Sequence, residues 1–213
     1  MIKAIIFDMD GVISDTQRLH ASIEISLLKK HGIDISPEEL TTNYAGISDK
    51  EFFTKIFEVC GVTTDVKDVI KEKWDKMMPL AVNNILPIPG AIKIINDLKE
   101  AGFKLGVASS APIKFIELVL KELGLKDKFQ AVTSVEDVEY SKPNPEIFLL
   151  TAKKLNVNPK DCVVIEDAES GMIAAKKAGM KCIGLVNKND EKYHADLLIT
   201  SLENLTVEEI INL

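Results

Sequence analysis

The sequence is poor in cysteine and in long apolar runs, and these two shortages argue against a disulfide-rich protein and a membrane-spanning protein. Its three cysteines are odd in number and widely spaced, which argues against a disulfide framework. No stretch approaches the roughly 18 consecutive apolar residues of a membrane-spanning helix, and the first apolar run is too short for a signal peptide. We therefore expect a cytoplasmic protein without a membrane span, with reduced core thiols at Cys60, Cys162 and Cys182.

Positive charge is also in short supply. The 213 residues include 26 Lys and Arg against 33 Asp and Glu, which gives a formal net charge of −7 at pH 7. The sequence pI is about 5.1, and we find no basic cluster that offsets the acidic balance. These values argue against nucleic acid or an anionic membrane surface as the main partner. We expect a small-molecule partner instead, and nothing in the sequence requires more than a monomer.

What the sequence does contain is an alternation of strand-like runs and helical patterns, which is typical of a parallel sheet with helices on both faces. The alternation stops after the first strand, residues 2–7, and resumes at the proline-containing segment 85–90. Only helical patterns lie between them, at residues 16–31, 37–44, 48–60 and 65–80. We predict an α/β fold with a Rossmann-like parallel-sheet core, residues 1–14 and 86–213. An all-helical cap, residues 15–85, is inserted after the first strand. Later strands are predicted at residues 103–108, 131–133, 162–165, 181–185 and 196–199.

In an open parallel sheet, ligands bind outside the carboxyl ends of the strands, so the residues that follow each strand are candidates for a site. Polar side chains follow three predicted strands, and a rigid loop, SKPNP, presents a lysine just before a helix. They are Asp8 and Asp10, Ser109 and Ser110, Glu166 and Asp167, and Lys142. Each signal alone has an ordinary explanation, such as a helix start or a solvated lysine. Their occurrence together at four places favours one catalytic site.

The segment FDMDGVISD, residues 7–15, carries the strongest chemical signal. Residues i and i+2 of an extended chain point the same way, so Asp8 and Asp10 begin on one side. Gly11 then allows the chain to turn away without a side chain in the space above them. Two carboxylates placed in this way suit phosphoryl transfer, although an acidic turn after a strand is also common.

The motifs DMDGV, ASS, the lysine of SKPNP, and IEDAESG resemble, in type and order, those of the haloacid dehalogenase superfamily of phosphotransferases. The resemblance covers the whole chain, and the inserted helical cap is similar to that of the β-phosphoglucomutase-like branch. It implies that Asp8 is the nucleophile that accepts the phosphoryl group and that Asp10 is the general acid and base. It also implies that Ser109 hydrogen-bonds the phosphate and that Lys142 neutralises it. The presence of Asp10 argues against carbon–halogen and phosphonate cleavage, which do not use an aspartate there.

The same resemblance implies a magnesium site made by Asp8, the backbone carbonyl of Asp10 and Asp167, with Glu166 beside them. A carboxylate that attacks a phosphate ester brings like charges together, and each unit pair at about 4 Å costs roughly 4 kcal/mol at an effective dielectric near 20. Mg²⁺ prefers oxygen ligands and cancels part of that repulsion. We expect further fixed donors from Ser109 Oγ and from free backbone N–H groups near Gly11.

The sequence leaves open whether the phosphoryl group goes to water or back to a sugar. Thr16 and His20 match residues of β-phosphoglucomutases, which interconvert β-glucose 1-phosphate and glucose 6-phosphate. In that family an arginine follows a Gly-x-Ser of the cap, whereas Asp49 follows Gly46-Ile47-Ser48 here. Lys50 and Lys73 are possible replacement cations, and Thr16, His20, Gly46, Gly11 and Ser110 are candidates for substrate binding. We predict a magnesium-dependent phosphatase acting on a small phosphorylated metabolite, with β-phosphoglucomutase activity as the alternative.

Overall fold

The computed structural model describes residues 1–44, 46–186 and 193–213. In this part of the chain, six parallel strands form one sheet in the order β3-β2-β1-β4-β5-β6. The strands are β1 Ala4–Phe7, β2 Lys104–Ala108, β3 Ala131–Thr133, β4 Cys162–Glu166, β5 Lys181–Leu185 and β6 Leu197–Ile199. The helices are α1 Gln17–Lys30, α2 Pro37–Tyr44, α3 Asp49–Cys60, α4 Val66–Ala81, α5 Ala91–Glu100, α6 Ile113–Glu122, α7 Glu146–Leu155, α8 Glu169–Lys177 and α9 Val207–Ile211. The predicted α/β fold class is confirmed.

Strand β1 lies at the centre of the sheet and is completely buried. Ile5 and Phe7 belong to the larger hydrophobic cluster, which also takes in α5 and α6, whereas Ala4 and Ile6 belong to a second cluster that takes in α7 and α8. This alternation follows from the opposite directions of successive side chains on a strand, and a strand covered on both faces must be apolar throughout. Because β2 and β4 pair with β1 in parallel, the carboxyl end of β1 lies between the carboxyl ends of those two strands.

Four helices, α1 to α4, fill the interval between β1 and α5 and pack against one another. Their ends follow local signals. The backbone N–H of Glu39 donates to Ser36 Oγ at 3.1 Å and the backbone N–H of Ser36 donates to Glu39 at 3.0 Å, which completes a capping box. Helix α3 ends before Gly61, whose φ of +67° is easy only for glycine.

The chain passes between the sheet and these four helices along two segments that run side by side. The backbone N–H of Asp15 donates to the carbonyl of Leu86 at 2.8 Å, and that of Ile88 donates to the carbonyl of Ile13 at 3.0 Å. An antiparallel bridge joins Ser14 to Pro87 between them. The expected division into a core of residues 1–14 and 86–213 and a cap of residues 15–85 falls on this pair of segments. We keep that division as a proposal.

Two features differ from what the sequence led us to expect. Helix α9 was not predicted, although the capping box formed by Thr206 and Glu209 is a signal that would have located it. Cys60 is exposed, so the expectation of three core thiols was wrong for this residue; it ends α3 on the solvent side, while Cys162 and Cys182 are buried. Within the described ranges, none of the helices has the length and apolar character needed to span a membrane.

Candidate active site

The loop between β3 and α7 brings Lys142 to the carboxyl ends of the central strands. Its Nζ lies 2.5 Å from Asp8 Oδ1 and 2.6 Å from Glu166 Oε1, and the lysine side chain is only 1% exposed. Asp8 follows β1 directly, and Glu166 is the last residue of β4. The structure thus places three of the predicted site residues in direct contact, in a buried setting where charge-assisted hydrogen bonds are strong.

Carboxyl groups outnumber cations in this cluster, which contains Asp8, Asp10, Glu166 and Asp167 beside Lys142. Burial raises the pKa of Asp8 to about 8, because desolvation together with repulsion from Glu166 and Asp10 outweighs the attraction of Lys142. Burial also raises the pKa of Asp167 well above its usual value, and repulsion from Glu166 and Asp8 adds to it. For Lys142, attraction by Asp8 and Glu166 outweighs burial and raises the ammonium pKa. The lysine is therefore charged, but its single positive charge does not offset all of the carboxyl groups around it.

The oxygen atoms that would hold a magnesium ion converge next to this cluster. The side-chain amide of Gln17 donates to Asp167 Oδ2 and lies 3.4 Å from the backbone carbonyl oxygen of Asp10. Asp8 and Asp167 line the same cavity. In the described ranges no group of three His, Cys, Asp or Glu side chains forms a metal site by itself. The carbonyl oxygen of Asp10 lies beside Asp167, since the amide of Gln17 contacts both. Two carboxylates short of positive charge and a carbonyl oxygen fit a hard cation.

Gly11 leaves room for this convergence. Its φ is +92°, and a Cβ atom there would lie 2.2 Å from Asp167 Oδ2. Its backbone N–H, however, donates to the carbonyl of Ser14 at 2.8 Å, which closes the turn that follows β1. Our expectation of a free phosphate donor was therefore wrong for the N–H of Gly11 itself.

Glu166 faces Lys142 rather than the cavity. One of its carboxylate oxygens receives the lysine, and the other accepts a hydrogen bond from the backbone N–H of Ala168 at 2.8 Å. The side chain is 1% exposed. These contacts favour a role in holding the lysine over the direct magnesium contact that the sequence suggested, because Glu166 is not among the residues that line the cavity.

Asp10 sits in a different environment from Asp8. Thr16 Oγ1 donates to Asp10 Oδ1, His20 Nε2 lies 3.4 Å from the same oxygen, and Ser109 Oγ lies 3.4 Å from Asp10 Oδ2. Burial by itself would raise the pKa of Asp10, but the contacts with His20 and Thr16 lower it below its usual value. The two aspartates are thus held with pKa values shifted in opposite directions, which is typical of groups with different chemical roles.

The two serines after β2 occupy different places. Ser109 is fully buried, and its Oγ accepts a hydrogen bond from the backbone N–H of Ala111 at 3.1 Å. Ser110 lines the cavity, and its Oγ donates to the carbonyl of Gly46 at 3.4 Å. Thr16 is fully buried against Asp10, so it orients that aspartate and does not touch the cavity, contrary to our expectation of substrate contact.

A cavity of about 120 Å³ lies between the strand ends and helices α1 to α4. By the measure in which one water needs about 10–15 Å³, it holds roughly ten waters, so it suits a small molecule. The sheet side contributes Asp8, Asp10, Ser110, Ala111 and Asp167, and the helical side contributes Gln17, His20, Ala21, Glu24, Leu40, Tyr44, Gly46, Ile47, Asp49, Lys73 and Trp74.

The helical insertion lies closed over this cavity. Gly46 has a φ of +76°, and a Cβ atom there would lie 2.5 Å from Ser170 Oγ and 2.6 Å from Ala168 Cβ, at the start of α8. Phe115 of α6 packs against the rings of His20 and Trp74, with centroids 5.6 and 5.0 Å away. Gly46 therefore permits a close approach between backbone and core that any larger residue would block.

Known proteins show which family the chain belongs to. The family model of haloacid dehalogenase-like hydrolases matches residues 5–185, most of the chain. The protein belongs to this family. It is accordingly an enzyme, and the resemblance inferred from the four motifs is confirmed.

Relatives within the family carry two kinds of name. The chain is 32% identical over 219 residues to hexitol phosphatase B of Escherichia coli K12, with 99% of this chain and 97% of that protein covered. It is 33% identical over 218 residues to the β-phosphoglucomutase of Bacillus subtilis, with 97% and 93% covered. The crystal structure of β-phosphoglucomutase from Clostridium difficile superposes with a TM-score of 0.87 at 33% identity, covering 100% of this chain and 96% of that one.

Several residues of this haloacid dehalogenase-like site were missed from the sequence. Gln17 and Glu24 both lie on α1, and Trp74 on α4 donates to Asp49 Oδ2 at 2.7 Å. The spacing of His20 and Glu24, four residues apart on one helix, is the only signal that pointed to a shared face. Which face of α1 meets the cavity depends on packing against α4 and α6, which a single sequence does not specify.

Proposed function

We propose that this enzyme is a magnesium-dependent phosphatase that hydrolyses a small phosphate monoester through an aspartyl-phosphate on Asp8. The observation that carries the proposal is the position of Asp8. It is buried against Lys142 and lines a cavity that it shares with Asp10 and Asp167. The haloacid dehalogenase-like relatives, which include named phosphatases, support the same class of reaction.

In the first half of the reaction, a carboxylate oxygen of Asp8 attacks phosphorus and the bond to the leaving alkoxide breaks. Lys142, held by Glu166, keeps a positive charge beside the attacking oxygen. Asp8, Asp167 and the backbone carbonyl of Asp10 would hold the magnesium ion, which supplies the charge that the buried carboxylates lack. Closure of the helical cap excludes bulk water while this anionic group forms.

Asp10 acts as the proton donor in the first half of the reaction and as the proton acceptor in the second. In the first half it protonates the leaving oxygen; the nearby phosphate dianion raises its pKa and so populates the acid form. In the second half it takes a proton from the water that attacks the aspartyl-phosphate. The pKa-lowering contacts of Asp10 with His20 and Thr16 suit this second role. Thr16 and Ser109 hold the two carboxylate oxygens in place.

The cap favours hydrolysis over the β-phosphoglucomutase reaction, which remains the second candidate because of His20 and the named relatives. A mutase must grip a second phosphate with a well-placed cation. Asp49 occupies the position after the Gly-x-Ser, and Lys73 is paired with Glu24 and Asp49. Lys50 is exposed and lies outside the cavity. Neither lysine is placed to replace the arginine.

The proposal is tested first with p-nitrophenyl phosphate, with and without Mg²⁺. We expect phosphate release that needs Mg²⁺ and is absent from the Asp8→Asn variant, while Asp68→Asn, an exposed aspartate on α4, retains the wild-type rate. Retained turnover in Asp8→Asn would refute the nucleophile assignment.

The mutase alternative is tested with β-glucose 1-phosphate, Mg²⁺ and a trace of glucose 1,6-bisphosphate, followed by phosphorus NMR. Inorganic phosphate as the product supports hydrolysis. Glucose 6-phosphate without matching inorganic phosphate would establish a mutase and overturn the proposal.

A further inference from the structure

The cap wall of the cavity carries a buried charge cluster that the proposed chemistry does not use. Lys73 Nζ lies 2.5 Å from Glu24 Oε1 and also contacts Asp49 Oδ1. We call Glu24, Asp49 and Lys73 the cap triad. All three residues line the cavity, and they come from α1, α3 and α4.

The triad presents its negative side to the cavity. The lysine side chain is 1% exposed, whereas those of Glu24 and Asp49 are 9% and 17% exposed. Attraction by Asp49 and Glu24 outweighs burial and raises the pKa of Lys73, so the ammonium is charged. Two carboxylates against one ammonium leave a net negative charge, and carboxylate oxygens are the accessible part of the cluster.

These oxygens can accept more hydrogen bonds than they receive. A carboxylate offers about four acceptor positions. Asp49 receives Lys73 and the indole N–H of Trp74, and Glu24 Oε1 receives Lys73. Within the described ranges, Glu24 Oε2 receives no hydrogen bond. Because these oxygens face the cavity, they can accept hydrogen bonds from the hydroxyl groups of a ligand.

The triad is also close to the reacting end of the cavity. The ring of His20 lies between Asp10 and the cap triad: its Nε2 is 3.4 Å from Asp10 Oδ1, and its Nδ1 is 3.9 Å from Glu24 Oε1. A substrate whose phosphate meets Asp8 therefore reaches the triad with the far end of a short carbon chain or a sugar ring.

We infer that the cap triad selects the end of the substrate that is remote from the transferred phosphate. It accepts hydrogen bonds from hydroxyl groups there, and its net charge rejects a second phosphate or a carboxylate at that end. The substrate class is thus a neutral polyol or sugar monophosphate. This inference rests on the proposed phosphatase activity and assigns Glu24 and Asp49 as its specificity residues.

The wild-type enzyme tests the inference by competition against p-nitrophenyl phosphate. Two matched pairs of probes differ only at the far end: glucitol 6-phosphate with 6-phosphogluconate, and glucose 6-phosphate with glucose 1,6-bisphosphate. Because juxtaposed like charges disfavour binding strongly, we expect the neutral member of each pair to have an inhibition constant at least about tenfold lower. Equal constants, or tighter binding of the anionic members, would overturn the inference.

Variants of the cap triad test whether Glu24 and Asp49 cause the preference for the neutral probes. Asp49→Asn and, separately, Glu24→Gln remove one negative charge with little change in shape, and we expect the preference within each pair to fall by about fivefold or more. Asp68→Asn removes an exposed charge from α4 and keeps the wild-type preference. A preference unchanged in both cap-triad variants refutes the assignment to these residues.

The two proposals fail in different ways. Absence of p-nitrophenyl phosphate hydrolysis by the wild type contradicts the proposed function. Hydrolysis together with no preference between the paired probes contradicts only the role of the cap triad. The wild-type competition gives this answer even if a variant with an unbalanced Lys73 does not fold.

Discussion

The ammonium group of Lys142 lies between Asp8 and Glu166, 2.5 Å from one carboxylate and 2.6 Å from the other. Glu166 also accepts a hydrogen bond from the N–H of Ala168, so the lysine is anchored from behind while it faces Asp8. A flexible cation is thereby fixed beside the proposed nucleophile. The same contacts make the lysine a structural element as well as a chemical one.

We predict that Lys142→Met lowers both turnover and stability. It leaves two buried carboxylates without their partner, and breaking a buried ion pair costs about 3–5 kcal/mol. Urea unfolding and p-nitrophenyl phosphate hydrolysis measure the two effects. The double variant Lys142→Met/Glu166→Gln removes one of the stranded charges and should recover part of the stability without recovering turnover. Recovery of turnover would show that the cation is dispensable.

Asp8 gives the metal-free protein a pH-dependent stability. Its folded-state pKa of about 8, raised by burial, exceeds the ordinary value of 3.8. The folded state therefore holds a proton that the unfolded chain releases, and the stability that this proton provides is lost as pH rises from about 4 to 8. We predict that the free energy of unfolding, measured in EDTA, falls over this range. The slope should be smaller in Asp8→Asn; an equal slope would contradict the assignment.

Magnesium should stabilise the wild-type protein, because a ligand that binds only the folded state raises its melting temperature. We predict that Asp167→Asn reduces this Mg²⁺-dependent shift, since Asp167 is one of the two carboxylates in the proposed donor set. Differential scanning calorimetry over a Mg²⁺ titration measures it, with Asp68→Asn as the control. A full shift in Asp167→Asn would place the ion elsewhere.

Asp10→Asn should slow turnover by about 10²–10⁴-fold, the usual contribution of a general acid and base. Phosphorylation of Asp8 is expected to continue slowly at best, because the leaving alkoxide no longer receives a proton. Intact-protein mass spectrometry after rapid quenching detects the phosphorylated form. Undiminished turnover in this variant would exclude the acid and base role.

Gly46→Ala should impair closure of the cap. The new Cβ would lie within 2.6 Å of both Ser170 Oγ and Ala168 Cβ, in addition to the strain of a positive φ. Gly61→Ala is a matched control, because Gly61 also has a positive φ but a Cβ there meets nothing within 4 Å. We expect kcat/KM to fall by about tenfold or more in Gly46→Ala, a loss of at least 1.4 kcal/mol. A similar fall in Gly61→Ala would attribute the effect to strain alone.

The sequence predicted the sheet and the residues at its strand ends, because hydrophobic runs and the four motifs are local signals. It predicted a site that contains Asp8, Asp10, Lys142 and Asp167, and their roles remain a prediction. It did not predict the parts that depend on packing between distant segments. The pairing of Lys73 with Glu24 and Asp49 joins three helices, and nothing in the spacing of these residues indicates that they meet. The expected monomeric state and cytoplasmic location remain predictions.

The two connections between the sheet and the helical insertion run side by side, and hydrogen bonds join Asp15 to Leu86 and Ile88 to Ile13. The ends of a long inserted segment are therefore as near to each other as neighbouring strands of a sheet. A segment attached in this way can be exchanged for another of similar end spacing without breaking any strand of the core. Under the proposed roles, a change of the insertion would alter substrate choice and leave the phosphoryl chemistry at the strand ends unchanged.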